Sequence, residues 1–167
     1  MGLLRWFRRK RRRDVDAWTP PLGAGEWRTV YAECCDAVLA YCRVVTTLDG
    51  GPVRERLDNL SQQLPPLLAV AERLAMIGET VSPATPRRAT DLADDLGPTP
   101  AEEAMEHLHG LRDALWGLAD NSARVALLMR ENPAATDIGT ILAALGAGLA
   151  EARQHAWTPI GHRTDSA

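Results

Sequence analysis

"TPAEEAMEHLHGLRDALWGLADNSARVALLMREN", residues 99–132, is the stretch that decides the fold of this chain. Ala104, Leu108, Leu111, Leu115, Leu118, Ser122, Val125 and Met129 recur at steps of three and four, the spacing that places side chains on one face of an α-helix. The start is written in capping chemistry. Thr99 can accept from the first turn, Pro100 has its φ preset for the first helical position, and Glu102 stands where its carboxylate reaches back to the cap. Asn132-Pro133 marks the stop. A regular helix of this length reads as the central member of a bundle.

Its neighbours carry matching stripes. A first helix is predicted from Glu26 to Leu48, with Trp27, Val30, Tyr31, Cys34, Val38, Tyr41, Val45 and Leu48 inward, closed by Asp49-Gly50-Gly51 before Pro52. A second carries Val53, Leu57, Leu60, Leu64, Leu67, Ala71, Leu74 and Ile77, interrupted by Pro65-Pro66. Proline inside a helix costs about 3 kcal/mol, so either two helices meet at Gln63 or one helix kinks there; the stripe keeps its phase across the prolines, which favours a kinked continuation. A fourth helix is predicted from 136 or 137 to about Ala156, with Ile138, Ile141, Leu142, Leu145, Leu149, Ala152 and Ala156 inward. Gly146 and Gly148 within it suggest close approach by a neighbouring helix.

With no period-two alternation, the fold class is all-α: a bundle of four long helices with a kinked second helix. A proline-rich crossover over residues 79–99 is expected to hold a short helix near 86–96, and a flexible basic tail precedes the bundle. The chain length suits one domain. It divides into a basic amphipathic tail with a Pro/Gly linker (1–25), the helical domain (26–157) and a C-terminal tail (158–167). The crossover argues against simple up-down topology.

Charge is segregated along the chain. Seven of its 19 basic residues (Arg5, Arg8, Arg9, Lys10, Arg11, Arg12 and Arg13) lie among the first thirteen residues, where there is no acid. The remaining twelve stand against all 22 acids, a net charge of about −10 for the rest of the chain. Nucleic-acid binding by the bundle itself is therefore disfavoured. The tail is also apolar on one side: as a helix, Leu3, Leu4 and Phe7 form a patch with Trp6 at its edge, while the arginines extend to phosphate. Near an anionic surface each basic residue contributes about 1 kcal/mol, so seven set an upper figure of roughly 7 kcal/mol before ordering costs.

Leu3, Leu4, Arg5, Trp6, Phe7, Arg8, Arg9, Lys10, Arg11, Arg12 and Arg13 are thus the candidate membrane-binding residues. An electrostatic nucleic-acid arm would not require the four apolar ones. The basic start is not followed by an apolar signal core, and no segment has the uninterrupted apolar length of a bilayer span, so the expected location is cytoplasmic, at the inner face of the cell membrane. One lysine among eighteen arginines, with abundant alanine, suggests a bacterial source of high GC content.

Cys34, Cys35 and Cys42 crowd one predicted helix, without C-x-x-C spacing, and read as small buried hydrophobes. Glu103 and His107 stand four apart, Glu106 and His109 three apart, and Glu151 and His155 four apart; all six are candidate ligands for zinc or another transition metal. A dinuclear site of this type uses a second E-x-x-H copy, which is lacking, and the helical angle separates His107 from His109. No metal or organic cofactor is therefore assigned. Trp27 and Trp116 are expected at the core boundary, and Trp18 and Trp157 are candidates to clamp the chain ends.

No Ser-His-Asp elbow, phosphate loop or zincin motif is present, so the reading leans away from an enzyme. The leading expectation is a peripheral membrane-associated helical interaction or adaptor module, bound to anionic lipid through its N-terminus and to an unidentified protein partner. A homodimer through Trp116, Leu127 and Leu128 is a further option. The alternatives are a metal- or small-ligand-binding bundle acting as enzyme or sensor, and nonspecific nucleic-acid association through the tail.

Overall fold

The computed structural model describes residues 25–81, 99–131 and 137–157. They form a four-helix all-α bundle whose second member is kinked: α1 (Glu26–Thr47), α2 (Pro52–Ser61) continuing as α3 (Leu64–Val81), α4 (Pro100–Glu131) and α5 (Asp137–Trp157). The short helix expected near 86–96 lies outside the described residues. α3 continues to Val81, so helix occupies the first positions assigned to the crossover.

Local chemistry explains the ends. Thr99 accepts from the Glu102 N–H at 3.3 Å, while Glu102 Oε2 accepts from the Thr99 N–H at 2.7 Å and from its hydroxyl at 2.9 Å, the reciprocal cap read from the sequence. Those two hydrogen bonds hold the Glu102 carboxyl below its ordinary value. Gly51 opens α2 at φ 148°, a backbone state closed to residues with a Cβ, and Pro52 takes the first helical position.

The kink is cheap because of where the prolines fall. The α-helical ladder breaks at Gln62-Gln63, and the Gln63 N–H turns to the Leu60 carbonyl at 3.0 Å. Pro65 and Pro66 then occupy the first turn of α3, where an N–H would have no helical acceptor in any case. Burial of Leu57, Ser61, Leu64, Leu67 and Leu68 runs through the break. Tyr41 fastens α2, the piece before the break, to α1 by donating its buried hydroxyl to the Leu57 carbonyl at 2.9 Å.

α4 is the central helix. It packs on α1, α3 and α5, whereas α1 and α5 scarcely meet. Leu108, Leu111, Leu115, Leu118 and Val125 are fully buried along it, and burying each leucine stabilises the fold by about 1.5–3 kcal/mol. Arg112 on α4 pairs with Glu33 on α1 at 3.3 Å, and a cavity further along both helices joins Thr47 and Leu48 to residues 123–130. α1 and α4 therefore run the same way side by side, which a ring of alternating neighbours would not allow. α5 returns antiparallel to α4, as the contacts of Gly110 with His155 and of Leu118 with Gly148 require.

One end of the bundle consequently gathers the start of α1, the end of α3, the start of α4 and the end of α5. The opposite end holds the α1–α2 turn and the last turns of α4.

Two sequence expectations about packing change. Gly146 has nothing within 4 Å of a Cβ built on it, and Gly148 makes only ordinary contact with Leu118, so neither accounts for tight packing. The close approaches are at Gly78, where the Trp27 indole fills the place of a side chain, and at Gly110, where His155 does so. Ile77 also departs from the expected inward stripe and is 45% exposed. Ala75 and Gly78 face inward instead: the alternation of three and four that runs through Leu64, Leu67, Ala71 and Leu74 next reaches Gly78, whereas Ile77 follows a second consecutive step of three and is turned off the buried face.

Candidate functional site

Residues 3–13, the candidate membrane-binding residues, lie outside the described residues. The described chain begins at Gly25, and two neighbours on α3 locate that start. Trp27 is buried with its ring against Gly78, and the Gly25 backbone passes beside Glu79, a Cβ position there lying 3.8 Å from Oε2. The segment carrying the tail thus joins the bundle at the C-terminal end of α3.

That end is apolar on its outer side. Met76, Ile77 and Val81 are 40%, 45% and 57% exposed. On α3 Ile77 and Val81 are neighbours four residues apart and Met76 lies on the other flank, so the three spread over about 140° of the exposed side, with exposed Arg73 and Thr80 between them. Elsewhere Trp116 and Leu127 are the other large hydrophobic residues exposed among those described. Eleven positions apart on α4, they lie on one face with exposed Asp120 between them. Leu128 is only half-buried beside them. The dimer expectation thus retains an exposed apolar face without any observed partner. Trp116 lies on the surface and Trp27 in the core, while Trp18 and the Trp157 side chain are outside the described residues.

The six candidate metal ligands do not assemble. Among the described residues no group of three His, Cys, Asp or Glu side chains is placed to hold a metal ion. What the bundle does bring together is His107 and His155, from α4 and α5, with ring centroids 6.4 Å apart and planes at 62°. The His155 ring reaches this position because Gly110 offers no side chain to block it. His107 Nδ1 and His109 Nε2 are both buried without a hydrogen-bond partner, and the two rings remain on different flanks of α4. Glu106 and Glu151 are exposed, and Glu103 is half-exposed. Spacing alone could not show that His107 meets His155, because their contact depends on the register of two helices.

The cysteines are packing residues. Burial pushes the Cys34 thiol up to about 12, reinforced by Cys35 and opposed by Arg112, and burial followed by Asp58 pushes Cys42 up to about 11. Neither is poised as a thiolate nucleophile near neutral pH. None of the three is in a disulfide. Burial, then Cys35 and Glu72, likewise raises the Tyr31 hydroxyl.

A cavity of about 680 Å³ lies at the far end, lined by Leu48, Val53, Arg54, Leu127, Met129 and Arg130 among others. Arg54 is engaged, donating to the Leu48 carbonyl at 2.5 Å and lying 3.7 Å from Asp58. No helix among the described residues is long and apolar enough to cross a membrane. Compared with known proteins, the chain matches no protein-family model, no curated protein and no solved structure.

Proposed function

We propose that this protein is a peripheral membrane-associated helical interaction module, attached reversibly to anionic lipid by residues 1–13 and presenting its bundle to a protein partner. The observation that carries the reading is the charge segregation: seven basic residues and no acid beside Leu3, Leu4, Trp6 and Phe7, against a strongly acidic remainder. Arginine heads bind phosphate while the apolar and aromatic groups enter the boundary between headgroups and acyl chains. The acidic body is repelled by the same surface, so attachment stays peripheral. The exposed apolar face of α4 at Trp116 and Leu127 supplies partner-binding surface. Three cysteines without a disulfide fit a reducing compartment, and the anionic cytoplasmic leaflet is the matching surface.

Co-sedimentation with anionic and neutral vesicles tests the attachment, comparing the full chain with one beginning at Asp14. The full chain is expected to pellet with anionic vesicles, and the shortened chain to stay in the supernatant. Equal binding of the two would remove the tail from the account. Replacing Leu3, Leu4, Trp6 and Phe7 with Ser should leave only weak attraction that disappears at physiological salt; unchanged affinity would transfer the arginines to nucleic acid or an acidic protein.

The far-end cavity favours a second reading, a bundle that takes a small organic ligand, since its volume falls in the range used for such ligands. Thermal-shift screening with small carboxylates and phosphates tests it, with the Arg130→Ala variant expected to abolish any stabilisation found.

A further inference from the structure

We infer that the exposed apolar end of α3, formed by Met76, Ile77 and Val81, is a second membrane contact that the tail brings onto an anionic lipid surface. The inference rests on the proposed role of the tail and adds to it a site within the folded body. Three observations point to lipid there. These residues expose apolar surface on the outer side of α3, around Arg73 and Thr80, at one end of the bundle. The described chain begins at that same end, with Gly25 beside Glu79 and Trp27 seated on Gly78. The residues joining Arg13 to Gly25 span at most roughly 40 Å, so a tail lying on a membrane keeps α3 within one short tether of it.

Three part-exposed side chains form too small a surface to hold a protein on lipid unaided. Tethering changes that, because a weak second contact becomes an intramolecular one with a high effective concentration. The charged groups of α1, α3 and α4 at this end are mainly acidic, Glu26, Glu72, Glu79, Glu102 and Glu103 against Arg28 and Arg73, so electrostatic attraction to anionic lipid is not what this surface offers. Its contribution is the removal of apolar area from water. The two contacts therefore differ in salt response: the tail weakens as salt rises, whereas the ratio of affinities with and without the patch stays constant.

The test measures binding of the full chain to vesicles of mixed phosphatidylglycerol and phosphatidylcholine at low and physiological salt. Its variants are Met76→Ser/Ile77→Ser/Val81→Ser, the chain beginning at Asp14, and the two changes combined. The triple variant is expected to bind about three- to tenfold more weakly than the natural chain, by the same factor at both salts, and to have no effect once the tail is removed. Circular dichroism and melting establish that the triple variant is folded. A separate Ile77→Trp chain should show, beyond the natural tryptophans, a blue-shifted emission quenched by brominated lipid.

If the triple variant binds like the natural chain while the Asp14 chain loses binding, the patch inference is overturned and the tail reading survives. If the Asp14 chain binds as well as the full one, the tail reading falls and takes the tethered contact with it. Ile77→Trp emission that ignores the vesicles also overturns the contact and assigns the patch to another occupant, such as residues 82–98 or a second copy of the chain.

Discussion

The indole of Trp27 occupies the space that a side chain at residue 78 would need. Both residues are buried, the ring belongs to α1 and the glycine to α3, and this contact sets how closely those helices approach at the end where the tail enters.

Replacing Gly78 with Ala should therefore destabilise the protein even though alanine is the better helix former. The added methyl meets ring carbons of a buried tryptophan, and overpacking of that kind costs about 1–3 kcal/mol against a propensity gain of nearly 1 kcal/mol. Gly146→Ala provides the contrast, because the same methyl points into open space and should stabilise by up to about 1 kcal/mol. Thermal melts of both variants should shift in opposite directions. A rise for both would mean that the Trp27 ring yields without cost.

The buried hydrogen bond from Tyr41 to the Leu57 carbonyl links α1 to the segment before the kink. Tyr41→Phe keeps the ring and removes the donor, with an expected loss of about 0.5–1.5 kcal/mol in denaturant unfolding. Hydrogen exchange should show the loss concentrated in α2; uniform weakening throughout the bundle would contradict a local fastening role.

Thr99→Ala removes one half of the reciprocal cap on α4 and should cost about 1 kcal/mol. The cap also carries a pH signature. Because the Glu102 carboxyl is held below its ordinary value in the fold, its contribution is present above the unfolded carboxylate pKa and disappears as pH falls through the lowered folded one. The difference in stability between natural protein and Thr99→Ala should thus shrink in acid. A difference that stays constant to the acid limit would detach Glu102 from the cap.

The two buried thiols act at the opposite end of the scale. Their folded values are raised, to about 12 for Cys34 and about 11 for Cys42, so the stability they contribute is complete below the unfolded thiol pKa and declines as pH rises toward those values. Unfolding midpoints should drop above about pH 8.5, less steeply in Cys34→Ala after allowance for its lost packing. At neutral pH a thiol reagent should leave Cys34 and Cys42 unmodified until the protein is denatured. Rapid labelling of both in the native state would contradict their burial.

Helix limits were largely legible because the signals for them are local. The cap at Thr99, the turn at Asp49-Gly50-Gly51 and the pause at Gln63 each act within about one turn of chain, and the structure shows a helix boundary at each. The apolar stripes of α1 and α4 were equally plain, from Trp27 to Val45 and from Ala104 to Val125. Ile77 faced outward against expectation because two consecutive steps of three, from Ala71 to Leu74 to Ile77, turn a side chain about 120° around the helix and off the stripe. The candidate site was less legible. E-x-x-H spacing on one helix says how two side chains sit relative to each other and nothing about what a second helix places opposite them.

By itself the sequence determined the helical class, the cap at Thr99, an interruption near Gln63 and the separation of a basic segment from an acidic body, because propensity, periodicity and charge are properties of neighbouring residues. Only the tertiary structure decided that α1 and α4 lie side by side in the same direction, that His107 meets His155, that Gly78 and Gly110 rather than Gly146 are the tight contacts, and that Met76, Ile77 and Val81 stay uncovered where the described chain begins. Those outcomes depend on how the ridges of one helix settle into the grooves of another, between residues tens of positions apart, and close packing fixes that register collectively.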